Sequence, residues 1–259
     1  MLESLSPPRR RLLLTVITGL ALAALVVGLL VVRVAGGADP AEQDQPGPVL
    51  VVPGYGGSLT SLDPLVAELG GEGREVVVVR PSGGGTGDLR MQAERLGVAA
   101  KQELERTGAA SVDVVGYSAG GVIARLWVRD GGGDMVRRVL TLGSPQHGTD
   151  VAALAAEVAG GCPQACEQLG PDSDLLRELN AGDETPAGPV WITIRSSGDQ
   201  VVTPADSASL DGALNLLVQD VCPGAPTSHS ALPGDPVVLA ALPVVLGTGP
   251  PRAPRDVSC

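Results

Sequence analysis

Phenylalanine is absent from this chain, and aromatic residues make up only 2% of its 259 residues. Any core must therefore be built from Val, Leu, Ile and Ala. Basic residues are also scarce, at 18 Lys and Arg against 29 Asp and Glu, for a net charge of −11. No Lys/Arg-rich stripe interrupts the acidic part, which excludes a phosphate-binding surface and hence nucleic acid as a partner. Only two histidines, His147 and His229, are present, and no Cys-x-x-Cys pair occurs. That combination is poor for a metal site, and none is expected. The glycine-rich stretch Ser82–Gly87 (SGGGTG) lacks the Gly-Lys-Ser/Thr ending of a phosphate loop and reads as a loop near the mouth of a site. There is no internal repeat, no lipobox cysteine and no prenylation box.

What is abundant is glycine and aliphatic sequence, with 36 Gly and 22 Pro. Arg9–Arg11 precede Leu12–Val32, 21 uncharged residues of which 14 are Leu, Val or Ile, and Arg33 follows. That length suits a membrane-spanning helix better than the core of a cleavable signal, and the flanking charges place the N-terminus inside. The expected organisation is a cytoplasmic stretch 1–11, a signal anchor 12–32 (or a signal peptide cut after Gly36-Gly37-Ala38), a Gly/Pro/acidic linker 33–48 and a globular domain 49–259 facing the outside. All four cysteines, Cys162, Cys166, Cys222 and Cys259, fall in that outer domain, where disulfides persist. Of three possible pairings the expected one is Cys162–Cys166, a tight local loop, with Cys222–Cys259.

Beyond the linker, short aliphatic runs alternate with helical periods. Strands are expected at Val49–Val52, Glu75–Arg80, Val112–Val115, Arg138–Leu142, Val190–Ile194 and Leu214–Gln219. Helical spacing recurs through Leu89, Ala93, Leu96, Ala100 and Leu104 with Asp88 as N-cap, then through Val122 and Leu126, and finally over Val237–Leu246. Strands apolar on both faces that alternate with helices indicate an α/β domain with a six-stranded parallel sheet covered on both sides. Ligands of such sheets sit beyond the carboxyl ends of the strands.

The chemistry-bearing residues follow strands in the same way. GYSAG at Gly116–Gly120 has the form Gly-x-Ser-x-Gly, which chance alone yields about 0.3 times in a chain this rich in glycine. Its setting, directly after a strand and before a helix, is what makes Ser118 a candidate nucleophile. A serine hydroxyl needs a histidine base held by a carboxylate. His229 lies after the last strand and Asp199 after the fifth, so Ser118, Asp199 and His229 stand in α/β-hydrolase order. Asp206 and Asp220 are the fallback acids, and His147 reads as a loop residue that helps to shape the site. Two backbone N–H groups for an oxyanion are expected at Ala119 and, in VLVVPGYGGS, at Tyr55.

Taken in order, PGYGG, GYSAGG, GSPQHGT, SSGDQVV and SHSAL resemble the small class 2 lipases of bacilli and actinobacteria, over roughly Pro48–Leu246. The resemblance implies a minimal α/β-hydrolase fold and hydrolysis of acylglycerols or related lipid esters without metal or organic cofactor. It puts the nucleophile on Ser118, the acid on Asp199, the base on His229 and the oxyanion donors on Tyr55 and Ala119. CPQACEQLGPDSDLLRELN is similar to a segment that lies beside the site in actinobacterial members. Pro53 departs from the pattern, standing where many relatives have histidine. Within Val151–Leu179, the apolar run and cysteine loop are expected to border an acyl pocket or form a small cap. An acyltransferase using the same residues, or an inactive surface-binding protein, is the alternative reading.

Overall fold

A computed structural model of the chain describes residue 8 and residues 15–25, 40–158 and 162–259. The chain divides into two units, Met1–Gly37 and Ala38–Cys259. In the first, residues 15–25 are helical and exposed. Among the described residues no helix is long and apolar enough to cross a membrane. The spanning helix expected over 12–32 is therefore not supported, and 12–14 and 26–32 lie outside the described residues.

The second unit is a six-stranded, all-parallel sheet in the order β2-β1-β3-β4-β5-β6. Its strands are β1 Val49–Val52, β2 Val76–Val78, β3 Val112–Tyr117, β4 Val136–Leu142, β5 Val190–Arg195 and β6 Leu214–Leu217. Because side chains alternate along a strand, one run of valines feeds two cores. Leu50 and Val52 of β1 join Val112, Val114 and Val139 on one face, while Val49 and Val51 join Val115, Leu140, Ile192 and Ile194 on the other. Helices α1 (Asp63–Gly71) and α8 (Pro236–Val245) cover the second face through Leu65, Leu69, Val238 and Leu242. Helices α2 (Leu89–Thr107) and α3 (Ala119–Trp127) cover the first through Leu89, Ala93, Leu96, Val122 and Leu126. Between β4 and β5 come three short helices, α4 (Asp150–Val158), α5 (Gln164–Gln168) and α6 (Asp174–Leu179), and α7 (Val218–Val221) follows β6.

Each expected strand is present, with shifts at the ends. The run Leu214–Gln219 stops pairing at Leu217, where α7 begins, and Gln219 on that helix turns its side-chain amide to Ser196 Oγ and Ala225 O, both at 2.9 Å. Asp88 caps α2, accepting from Arg90 N at 3.0 Å. The disulfides are Cys162–Cys166 and Cys222–Cys259, as expected.

The amino end of the sheet holds a buried charge cluster that the sequence did not reveal. Asp113 at the start of β3 accepts a two-pronged pair from Arg137 (2.9 and 2.5 Å) and a bond from Arg74 (2.5 Å). One carboxylate cannot balance these guanidinium groups and the neighbouring Arg138. The rest of the compensation comes from the carboxyl end of α8, whose dipole is negative there. Arg138 donates to Val245 O (2.7 Å), and Arg74 and Arg137 both donate to Leu246 O (3.1 and 2.5 Å). Arg137 also donates to Gln43 O and Arg74 to Gly47 O, which fastens the incoming chain. Asp113→Ala should lower stability by about 3–5 kcal/mol, because it strands buried cations. Urea unfolding would measure this; a loss under about 1 kcal/mol would mean that the carbonyls alone suffice.

Candidate active site

Ser118 sits between the end of β3 and the first residue of α3 with φ 55° and ψ −126°. It and Asp256 are the non-glycine residues with positive φ among those described. An L-residue is strained there, so the surroundings must hold it. Ser118 N donates to Leu142 O at 2.8 Å and Gly121 N donates to Ser118 O at 3.1 Å. The flanking glycines are required by contact: a Cβ on Gly116 would lie 2.5 Å from Gly121 N, and one on Gly120 would lie 2.2 Å from Val52 O. Gly54 comes close from β1's side, where a Cβ would stand 2.9 Å from Ser118 Cβ. The result is a hydroxyl lifted above the carboxyl ends of the central strands.

His229 opens a short 3₁₀ turn, His229–Gly234, and brings Nε2 to 3.0 Å from Ser118 Oγ. Its Nδ1 lies 2.7 Å from Asp199 Oδ2. A carboxylate facing Nδ1 requires the proton on that nitrogen, which leaves the Nε2 lone pair toward the serine hydroxyl. The other oxygen, Asp199 Oδ1, accepts from Val201 N (2.8 Å) and Val202 N (2.9 Å), so the carboxylate is held on both sides. Ser196 ties this loop to the histidine loop, with Oγ donating to Thr227 O at 2.6 Å. The fallback acids lie elsewhere, Asp206 paired with Arg195 at the surface and Asp220 exposed. His147 binds Glu184 (2.7 Å) and Ser207 O (3.2 Å) and makes no bond to Ser118, which leaves it a loop-holding role.

Ala119 is the first residue of α3, so its N–H has no intrahelical acceptor. Tyr55 lies in the turn after β1, closed by Gly57 N donating to Gly54 O at 3.1 Å. The Ser82–Gly87 loop packs against that turn, with a Cβ on Gly85 falling 2.8 Å from Gly57 N. Beside Ser118 opens a cleft of about 280 Å³. Its lining includes Tyr55, Val151, Ala155, Leu169 and Val202, and among the described residues no charged side chain contributes to it. Val151 and Leu169, from the segment expected to border a pocket, do so. Among the described residues no cluster of His, Cys, Asp or Glu is suited to a metal ion.

A family profile described as lipase (class 2) matches residues 102–220. The chain resembles the class 2 lipases. That stretch carries Ser118 and Asp199, while Tyr55 and His229 lie outside it. The match supports a carboxylic ester hydrolase. In fold the lipase-like chain is similar to lipase B of Aspergillus fumigatus, with TM-score 0.72 and 22% identity over 82% of this chain and 54% of that one. It thus spans about half the length of the fungal protein. It is also similar to the mature Bacillus licheniformis lipase BlEst2, with TM-score 0.65 and 17% identity over 81% of this chain and 94% of that one. No curated protein matches.

Two features of this lipase-like site went unread in the sequence. Gly143, at φ 50°, leaves room for the Asp–His contact: a Cβ would stand 3.1 Å from Asp199 Oδ2 and 3.3 Å from His229 Nδ1. Tyr117 is the other. Its buried ring lies 5.1 Å from the His229 ring, centre to centre, and its hydroxyl donates to His229 O at 3.1 Å. The signal was present as the residue before Ser118, but nothing local says where its hydroxyl goes. Burial, reinforced by the negative charge of Asp199, pushes the phenol up to about 12, so it stays a neutral donor at working pH. The sign follows from linkage: the unfolded phenol ionises near its ordinary value of about 10 and the folded one later. Its stabilising contribution is intact below about pH 10 and is lost as pH rises to about 12. Alkaline unfolding midpoints of wild type and Tyr117→Phe should therefore converge over that window, and parallel curves would refute the coupling.

Proposed function

We propose that the chain is a serine carboxylic-ester hydrolase, a lipase or esterase, acting through an acyl-enzyme. The observation that carries this is the continuous Asp199–His229–Ser118 hydrogen-bond chain ending at an uncharged, mostly apolar cleft. In the proposed reaction Ser118 Oγ attacks the ester carbonyl while His229 Nε2 takes its proton. Asp199 keeps the imidazole oriented and stabilises the imidazolium. The N–H groups of Ala119 and Tyr55 receive the negative charge that develops on the carbonyl oxygen. Collapse of the tetrahedral adduct breaks the bond to the alcohol oxygen, which leaves with the proton from His229. Water then adds to the acyl-serine with His229 again as base, and the carboxylic acid departs.

The cleft wall favours a neutral acyl group, because a carboxylate or ammonium would lose its hydration without a partner there. Purified 39–259 should hydrolyse p-nitrophenyl esters, and Ser118→Ala should lower kcat by roughly 10⁴–10⁶-fold. A fluorophosphonate should label wild type at Ser118. Turnover that survives the substitution would sink the reading.

We further propose that the globular unit works outside the cytoplasm, held by the 12–32 segment. Two disulfides and the Arg9–Arg11 charge cluster ahead of an uncharged run support this. Intact mass of the protein from its native membrane fraction should include residues 1–38. A chain that begins at Asp39 would replace the anchor with a cleaved signal.

A further inference from the structure

The cleft beside Ser118 has three walls, and each is held by a different kind of bond. The first is Val201 and Val202, whose backbone N–H groups are fixed by Asp199 Oδ1 at 2.8 and 2.9 Å. The second is α4, which contributes Val151, Ala152 and Ala155. Its start is tied by Asp150 N donating to Thr203 O (3.0 Å) and Ala152 N donating to Thr149 O (3.1 Å). Beyond that first turn Ala153, Ala155 and Ala156 have little area with which to grip the body of the protein, and Leu154 is exposed. The third wall is α5 and its flanks, contributing Cys162, Cys166 and Leu169. Here α5 is anchored hard. Ala165 is fully buried with its N–H on Thr86 O (3.1 Å), and the Gln168 amide bridges Leu89 N and Asp88 Oδ1, both at 2.8 Å.

The disulfide joins Cys162 to this anchored helix, and both half-cystines face the cleft. We propose that Cys162–Cys166 acts as the wall that sets the acyl-chain length the site accepts, so that the protein selects short acyl esters. The inference rests on the hydrolase reading above. At about 280 Å³ the cleft falls just below the roughly 300–1,000 Å³ range of sites that enclose drug-sized ligands. A cystine is apolar and has fewer free torsions than two separate side chains, so it can stop a chain without yielding to it. The remaining lining residues are small, apart from Tyr55, Leu169, the buried Val202 and two valines at the rim. Val151 and Val201 are each more than two-fifths exposed, which places them at the opening.

The test compares wild type with Cys162→Ala/Cys166→Ala on p-nitrophenyl butyrate and p-nitrophenyl dodecanoate, reading kcat/KM for each. Wild type should prefer butyrate, and the double variant should shift the butyrate-to-dodecanoate ratio toward dodecanoate by about tenfold, the scale on which a few methylenes are discriminated. A merely structural disulfide would lower both esters together. A ratio unchanged within twofold, or a wild type that prefers dodecanoate, overturns the proposal. Should the variant fail to fold, mild reduction of native wild type makes the same cut, with alkylation mapped by mass spectrometry to show which disulfide opened. The same change in ratio is expected of the reduced protein assayed before the alkylating reagent is added, where the label is afterwards found on Cys162 and Cys166, and its absence overturns the proposal. Turnover of neither ester by wild type would instead overturn the hydrolase reading, and the wall with it.

Discussion

Everything at the site depends on how closely α3 approaches the sheet. At Gly116, Gly120 and Gly121 the helix start lies against β1, β3 and β4 with no space for a β-carbon; on Gly121 one would fall 2.1 Å from Ser144 Oγ. This contact fixes the sharp turn, and the turn fixes Ser118 in a conformation it would not adopt alone. Two β-branched strands and a buried helix supply the apolar free energy that sustains the strain. In return the hydroxyl stands clear of the backbone at the place where two later loops converge. The cost is borne by the fold and the benefit appears at one atom.

The sequence was legible where the periodicity was strong and the constraint local. Val49–Val52 and Val112–Val115 read as doubly buried strands because nothing polar interrupts them. The glycines around Ser118 were readable because strand, turn and helix are contiguous. Asp199 and His229 were readable only as an order along the chain, and the contact between them depends on β5 and β6 being neighbours. What stayed hidden was non-local. The Tyr117 hydroxyl reaches a carbonyl 112 positions away, and Gly143 matters because two distant side chains meet above it. Nothing local marks Arg137 and Arg138 as buried, yet both are, because carbonyls that receive them belong to the end of the last helix.

The distribution of charge follows the same division of labour. One cluster of buried charges lies at the amino ends of the strands, around Asp113 and the carboxyl end of α8. At the carboxyl ends the described cleft lining is uncharged, and Asp199 meets the site through the imidazole and through Val201 and Val202. A sheet can tolerate both arrangements because its two ends are separated by the length of the strands, about 3.3 Å per residue. Field from the arginine cluster is thus spent on helix carbonyls, far from the ester carbonyl that the site would polarise.

In the proposed reaction Asp199 also couples recognition to chemistry. One of its oxygens orients His229 and the other holds the valine pair that walls the cleft. A ligand that presses on Val201 or Val202 therefore acts on the same carboxylate that positions the base. A carboxylate with acceptors committed on both oxygens has little freedom to rotate, so the wall and the imidazole move as one unit or not at all. That rigidity suits a small cleft: in the proposed reaction the described lining offers no charged anchor, so positioning comes from walls already attached to the reacting groups. Under the same proposal the disulfide supplies at another wall what Asp199 supplies at this one, a fixed boundary for an acyl chain that brings no polar handle of its own.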